Sequence, residues 1–125
     1  MAKLIKSSGY TEPNLTNVIY NDYNLEYISI NLNVHKIDDM YYWDEIVLPD
    51  FALTNICKAE DEIKYKVIIS HIVTAYYSQH DMDAVVNNYL LDPENEKYKR
   101  EFYIMQNIRI TAKKTAKYII DNGLF

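Results

Sequence analysis

His80 and Asp81, with Asp83 two residues on, form the only cluster of metal-like donors close together in this sequence. Adding His35 and Asp121 gives the H…HD…D order of metal-dependent phosphohydrolases. Such a site needs all four donors to converge on one point. The simpler reading is that His80-Asp81 ends one helix and caps the next. His71 lies in the most apolar stretch, either as a buried switch titrating near neutral pH or as a neutral core histidine. Cys57 has Lys58 and Lys64 near it. No histidine stands at helical spacing to act as its base, so it reads as a small core residue. Glu60, Asp61 and Glu62 point three ways on a helix and cannot share a substrate. No serine has the glycine context of a nucleophile elbow.

Binding residues are more promising than catalytic ones. Arg109, Lys113 and Lys117 repeat every four residues, with Gln106 and Lys99 on the same side. Such a stripe can track phosphates, complement a helix C-terminus, or meet an acidic partner. Tyr41, Tyr42 and Trp43 form the densest aromatic cluster, rimmed by Asp38, Asp39, Asp44 and Glu45. Aromatic anchors in an acidic rim suit a protein contact, and Trp43 with one tyrosine also suits a core lid. Ile69, Ile72 and Tyr76 lie in an apolar stretch and complete the expected protein interface.

Composition narrows the setting. The chain has 125 residues, 49% hydrophobic and 25% charged, within the usual size of one domain. Two glycines exclude glycine-built phosphate cradles. Eighteen acids against thirteen bases give a net charge of −5. This disfavours nucleic-acid binding by the whole surface. Residues 1–51 carry that −5, whereas residues 97–118 hold seven bases and one acid, Glu101. One cysteine excludes an intrachain disulfide. MAKLIKSSGY shows no secretory h-region, and no apolar run reaches the ~20 residues of a membrane span, so a cytoplasmic site, or a virion if phage-encoded, is expected. Tyr, Ile, Asn and Lys, all with AT-rich codons, make up 52 residues, which points to an AT-rich genome.

The elements that position these residues follow from periodicity. Lys3–Lys6 reads as a short strand and residues 15–20 as another. Asn21-Asp22-Tyr23-Asn24 reads as a turn. Ile28, Ile30, Leu32 and Val34 alternate with Ser29, Asn31 and Asn33, predicting a strand with one buried and one wet face. Asp38–Val47 reads as a short helix ended by Pro49. Phe51–Gln79 contains no Gly or Pro and predicts a 29-residue helix. Its stripe is Ala52, Ile56, Ala59, Ile63, Val67, Ser70, Thr74 and Tyr77. Asp81–Leu91 reads as a short helix. Asp92-Pro93-Glu94 reads as the start of a last helix running to Asp121, with Gly123 as its stop. Ile104, Met105, Ile108, Ala112, Thr115 and Ile119 form the inward stripe of that helix.

The expected fold is α+β. An N-terminal β-hairpin (1–37) packs on a long antiparallel helical hairpin with a short intervening helix (38–125), all in one domain. Helices of 29 residues would be ~43 Å long and overhang a sphere ~36 Å across. The surplus apolar surface at Val67–Tyr77 then calls for a partner. The expected function is non-enzymatic: a small phage or mobile-element structural subunit acting by protein–protein packing as a homo-oligomer. A small inhibitor or adaptor binding a host protein is one alternative, and the H…HD…D phosphohydrolase another. No cofactor is expected, and nucleic acid is the less favoured partner.

Overall fold

The computed structural model describes residues 2–21, 24–48 and 60–124. Four strands come first: β1 (Lys3–Gly9), β2 (Thr16–Asn21), β3 (Asn24–Ile37) and β4 (Met40–Val47). Three helices follow: α1 (Asp61–Tyr76), α2 (Gln79–Leu91) and α3 (Glu96–Asp121). The fold is α+β, with the sheet at the N-terminus and the helices after it.

The sheet is antiparallel throughout, in the order β1-β4-β3-β2. β2, β3 and β4 form a meander, and β1 lies beside β4, which is a Greek key with the odd strand first. The expected hairpin is its β2–β3 half. The predicted helix over Asp38–Val47 is instead strand β4, so the β-rich part runs to Val47 and not to residue 37. Asp38-Asp39 is a two-residue turn between the paired Ile37 and Met40, and Asp38 adopts a φ of 54°. Asp tolerates that backbone, and the aromatic and β-branched residues after it favour a strand.

β1 and β2 occupy opposite edges, so the chain between them must pass two strands. Gly9 begins this crossing against Trp43: a Cβ there would come within 3.3 Å of the indole. Asn31 Nδ2 then donates to the Asn14 carbonyl at 2.7 Å, tying the crossing segment to β3. Asn31, expected on a wet face, is therefore buried, and Ser29 on the same face, which accepts from Asn17 Nδ2 of β2, is buried too. Val34, expected inside, is exposed, because β3 slips register between Leu32 and His35. Asn33, at a φ of 54°, sits in that bulge.

The helices cover one end of the sheet's inner face. Ala2, Ile30, Leu32 and Ile46 meet Ile68, Ile72 and Val73 of α1 and Ala112, Ala116 and Ile119 of α3. Each fully buried isoleucine contributes roughly 1.5–3 kcal/mol. Among the described residues, α1 packs on α3, β1 and β4, whereas α2 packs mainly on α3.

The long first helix, predicted over Phe51–Gln79, ends three residues early. Its first part falls on residues 51–59, outside the described residues, with Cys57, Ala52, Ile56 and Ala59. Its end comes at Tyr76, because Ser78 caps a new helix by accepting a bond from the Asp81 N–H at 3.0 Å. Its buried stripe is Lys64, Ile68, Ile72 and Val73, on nearly the opposite side of the helix from the predicted one. Ile63 and Ser70 are exposed, and Val67, Thr74 and Tyr77 only partly covered. A helix apolar on nearly every side has no unique inward face.

The last helix keeps its predicted stripe at Met105, Ala112, Thr115 and Ile119, although Ile104 is exposed. It begins later than predicted. Asp92 closes α2, and Asn95 is the cap, accepting from the Lys97 and Tyr98 N–H groups. Gly123 is the expected stop. At φ 59° it closes a Schellman motif, with Leu124 N–H donating to Ile119 O and Gly123 N–H to Ile120 O. Gly123→Ala should lower stability by about 1–2 kcal/mol, the cost of a Cβ in a left-handed backbone. A melting temperature equal to the parent's would contradict this.

Candidate functional site

The most connected polar group lies where the inner sheet face leaves the cover of the helices. β4 alternates, so Tyr42, Asp44 and Ile46 share the inner face, and Tyr41, Trp43 and Glu45 take the outer one. Ile46 is core, and Asp44 next to it is only 6% exposed. Three donors hold its carboxylate. Lys6 Nζ reaches Oδ1 at 2.6 Å, and Asn33 Nδ2 and Tyr76 Oη each reach Oδ2 at 2.7 Å. β1 supplies the lysine through the Lys6↔Asp44 pairing, the bulge aims Asn33, and the last turn of α1 brings Tyr76.

The electrostatics close this cluster on itself. Burial pushes the Asp44 carboxyl up, but the bonds from Lys6, Asn33 and Tyr76 and the charge of Lys6 outweigh it and leave it below the usual range. Burial, with the Asp44 carboxylate, pushes the Tyr76 phenol far up. A carboxylate engaged by three donors is a poor base near neutral pH, and a phenol so raised is a poor nucleophile. The chemistry this arrangement supports is a clamp between sheet and α1. His35 continues the same face. It stacks on Tyr42 with centroids 5.9 Å apart, and its Nδ1 lies 2.8 Å from Asn33 O.

Lys6, Asn33 and Asp44 were not singled out from sequence as a group. Once Asp38-Asp39 is read as a tight turn, alternation puts an acid inward between Tyr42 and Ile46, which is the signal that could have found it.

The structure separates the expected metal donors. His35 stands on β3 and His80 and Asp81 on α2, and with Asp121 they form no group able to hold a metal ion. His71 is partly covered, and burial lowers its pKa below the ordinary imidazole value. No family model, curated protein or solved structure matches this chain. Its function is therefore read from its surfaces.

The expected interface residues part company. Tyr41, Tyr42 and Trp43 cannot form one anchor, because the strand puts Tyr42 on one face and the other two on the opposite face. Tyr41 carries Lys36 Nζ 5.4 Å over its ring, and Trp43 is half-buried beside Gly9. Ile72 is fully buried in the protein's own core, Ile69 packs against that core, and Tyr76 is tied to Asp44. Of the three, Ile72 serves the interior alone, while Ile69 and Tyr76 are only partly covered. Arg109, Lys113 and Lys117 are exposed on α3, and Lys99 is partly covered, 3.7 Å from Glu96.

Among the described residues, half of the twelve exposed large apolar side chains lie on α2 and α3, and the others are spread over β1, β3, β4, Tyr10 and α1. None of the thirteen residues of α2 is buried. Leu90 and Leu91 are 68% and 84% exposed, and Tyr103, Ile104, Ile110 and Tyr118 of α3 are each about half exposed. Tyr89 stacks on Phe102 at 4.2 Å and holds α2 to α3. A cleft of about 340 Å³ separates α1 from α2, with Ile69, Val73, Met82 and Met105 inside and Asp83 and Arg109 also lining it. No helix among the described residues is long and apolar enough to cross a membrane.

Proposed function

We propose that this protein works without catalysis, by packing its helical layer against other protein. The observation that carries the reading is α2: a helix with no buried residue that presents Leu90 and Leu91 to solvent. Helices in proteins gain most of their stability from a buried face, and contiguous exposed apolar surface marks an interaction site. The self-contained Lys6–Asn33–Asp44–Tyr76 cluster supports a structural over a catalytic role for the most connected polar site. Small size and AT-rich codon bias fit a phage or mobile-element assembly subunit in the host cytoplasm or virion.

A photoreactive benzophenone side chain at position 91 tests this reading. Irradiated in the cells that make the protein, it is expected to give one discrete heavier adduct containing a second polypeptide. The same group at Asp39, on the exposed turn at the far end of the sheet, is expected to give none. No adduct from position 91 would overturn the reading.

A further inference from the structure

The helical layer is divided by charge. From residue 79 to 95, α2 and the following turn carry Asp81, Asp83, Asp92 and Glu94 and no lysine or arginine. From residue 102 to 120, α3 carries Arg109, Lys113, Lys114 and Lys117 and no acid. All eight of these side chains are exposed. None of them forms an ion pair among the described residues.

Within one chain only Asp83 and Arg109 share a surface, the cleft beside α1, and they form no ion pair there. The four-residue connection folds α2 back along the start of α3, where Tyr89 meets Phe102. At 1.5 Å per residue α2 is ~20 Å long and α3 ~39 Å, so α2 covers only half of its neighbour. Lys113, Lys114 and Lys117 stand past its end. Apolar residues are interleaved with the charges on both helices: Leu90 and Leu91 on α2, Tyr103, Ile110 and Tyr118 on α3.

We propose that α2 of one protomer packs against α3 of a second copy, and α3 against the partner's α2, in a two-fold dimer. This rests on the packing reading above and adds the identity of the partner. A two-fold pairing uses each surface once on each chain, so acid meets base twice and the apolar residues are covered together. A nucleic acid would meet the bases, but the acids of α2 would repel its phosphates and its backbone would leave the leucines uncovered.

Light scattering on the full-length protein tests the pairing. The parent is expected at twice the 14.8 kDa chain mass, with weaker association at high salt. Two reversals follow: Asp83→Lys with Glu94→Lys, and Lys113→Glu with Lys114→Glu. Each is expected at the single-chain mass with an unchanged far-UV circular dichroism spectrum. An equimolar mixture of the two is expected to regain the double mass, because each restores the opposite charge for the other. A parent at the single-chain mass up to its solubility limit would overturn the inference. So would reversals that leave the parent's mass unchanged, or a mixture that fails to recover. If the parent is monomeric and a short DNA duplex binds it in the same experiment, nucleic acid is the occupant and the dimer is overturned. A position-91 adduct with a different polypeptide, beside a monomeric pure protein, would remove the dimer and leave the packing reading standing. Absence of both adduct and dimer would remove both.

Discussion

Ile72→Asp is expected to leave the chain unfolded at room temperature. Ile72 has no solvent exposure and lies among Ile30, Leu32, Ile46, Ile68 and Ile119. The substitution removes a buried side chain, for which truncation alone costs about 2–5 kcal/mol. It also buries a carboxylate among the isoleucines of the core, adding several kcal/mol more. Together these match much of the ~5–15 kcal/mol by which a domain is stable. Ile63→Asp is the control. Ile63 belongs to the stripe that periodicity placed inside, yet it is 54% exposed, so its melting temperature should stay near the parent's. A cooperative melt for Ile72→Asp close to the parent's, or a collapse of Ile63→Asp, would show that α1 is turned the other way.

Asp44→Ala is expected to lower stability by about 3 kcal/mol, and the melting temperature by roughly 10 °C. It removes the acceptor shared by Lys6, Asn33 and Tyr76 and frees the end of α1 from the sheet. Lys6→Ala should cost under about 1 kcal/mol, because the lysine side chain is 76% exposed and water replaces its partner. The pH dependence has a definite sign. The Asp44 carboxyl titrates below its ordinary 3.8 in the folded chain, and near that value once unfolded. The unfolded chain therefore binds more protons as pH drops below about 4. The stabilisation is complete above that pH and is lost as pH falls through the folded value. Thermal melts of parent and Asp44→Ala should accordingly converge in strong acid and differ by a constant amount from pH 5 upward. A difference that grows from pH 5 to pH 8 would assign the effect to another group.

Legibility differed between elements for reasons that individual residues make plain. β3 was visible because Ile28, Ile30 and Leu32 alternate with polar residues, and α3 because Met105, Ala112, Thr115 and Ile119 recur at helical spacing. β4 was misread because Asp38-Asp39 resembles a helix cap as much as a tight turn, and only pairing with β1 and β3 decides between them. The break between α1 and α2 was legible but placed slightly late, at His80-Asp81, whereas Ser78 is the cap, accepting from the Asp81 N–H. The Asp44 clamp joins residues 38 and 32 positions apart in sequence to its partners Lys6 and Tyr76. No local pattern encodes such a separation.

The sequence by itself determined what depends on near neighbours: the order of strands before helices, the inward stripe of α3, the Gly123 stop, and the acidic and basic stretches. These rest on backbone preference and on repeats of two or 3.6 residues, which act within a few positions. Only the tertiary structure decided the rest. It chose the face of α1, buried Asn31 against the crossing segment and Ser29 beside it, turned Ile72 inward, and left Leu90 and Leu91 outside. Each of those outcomes depends on what another part of the chain covers, and burial is a property of the assembled surfaces, not of the residue that is buried.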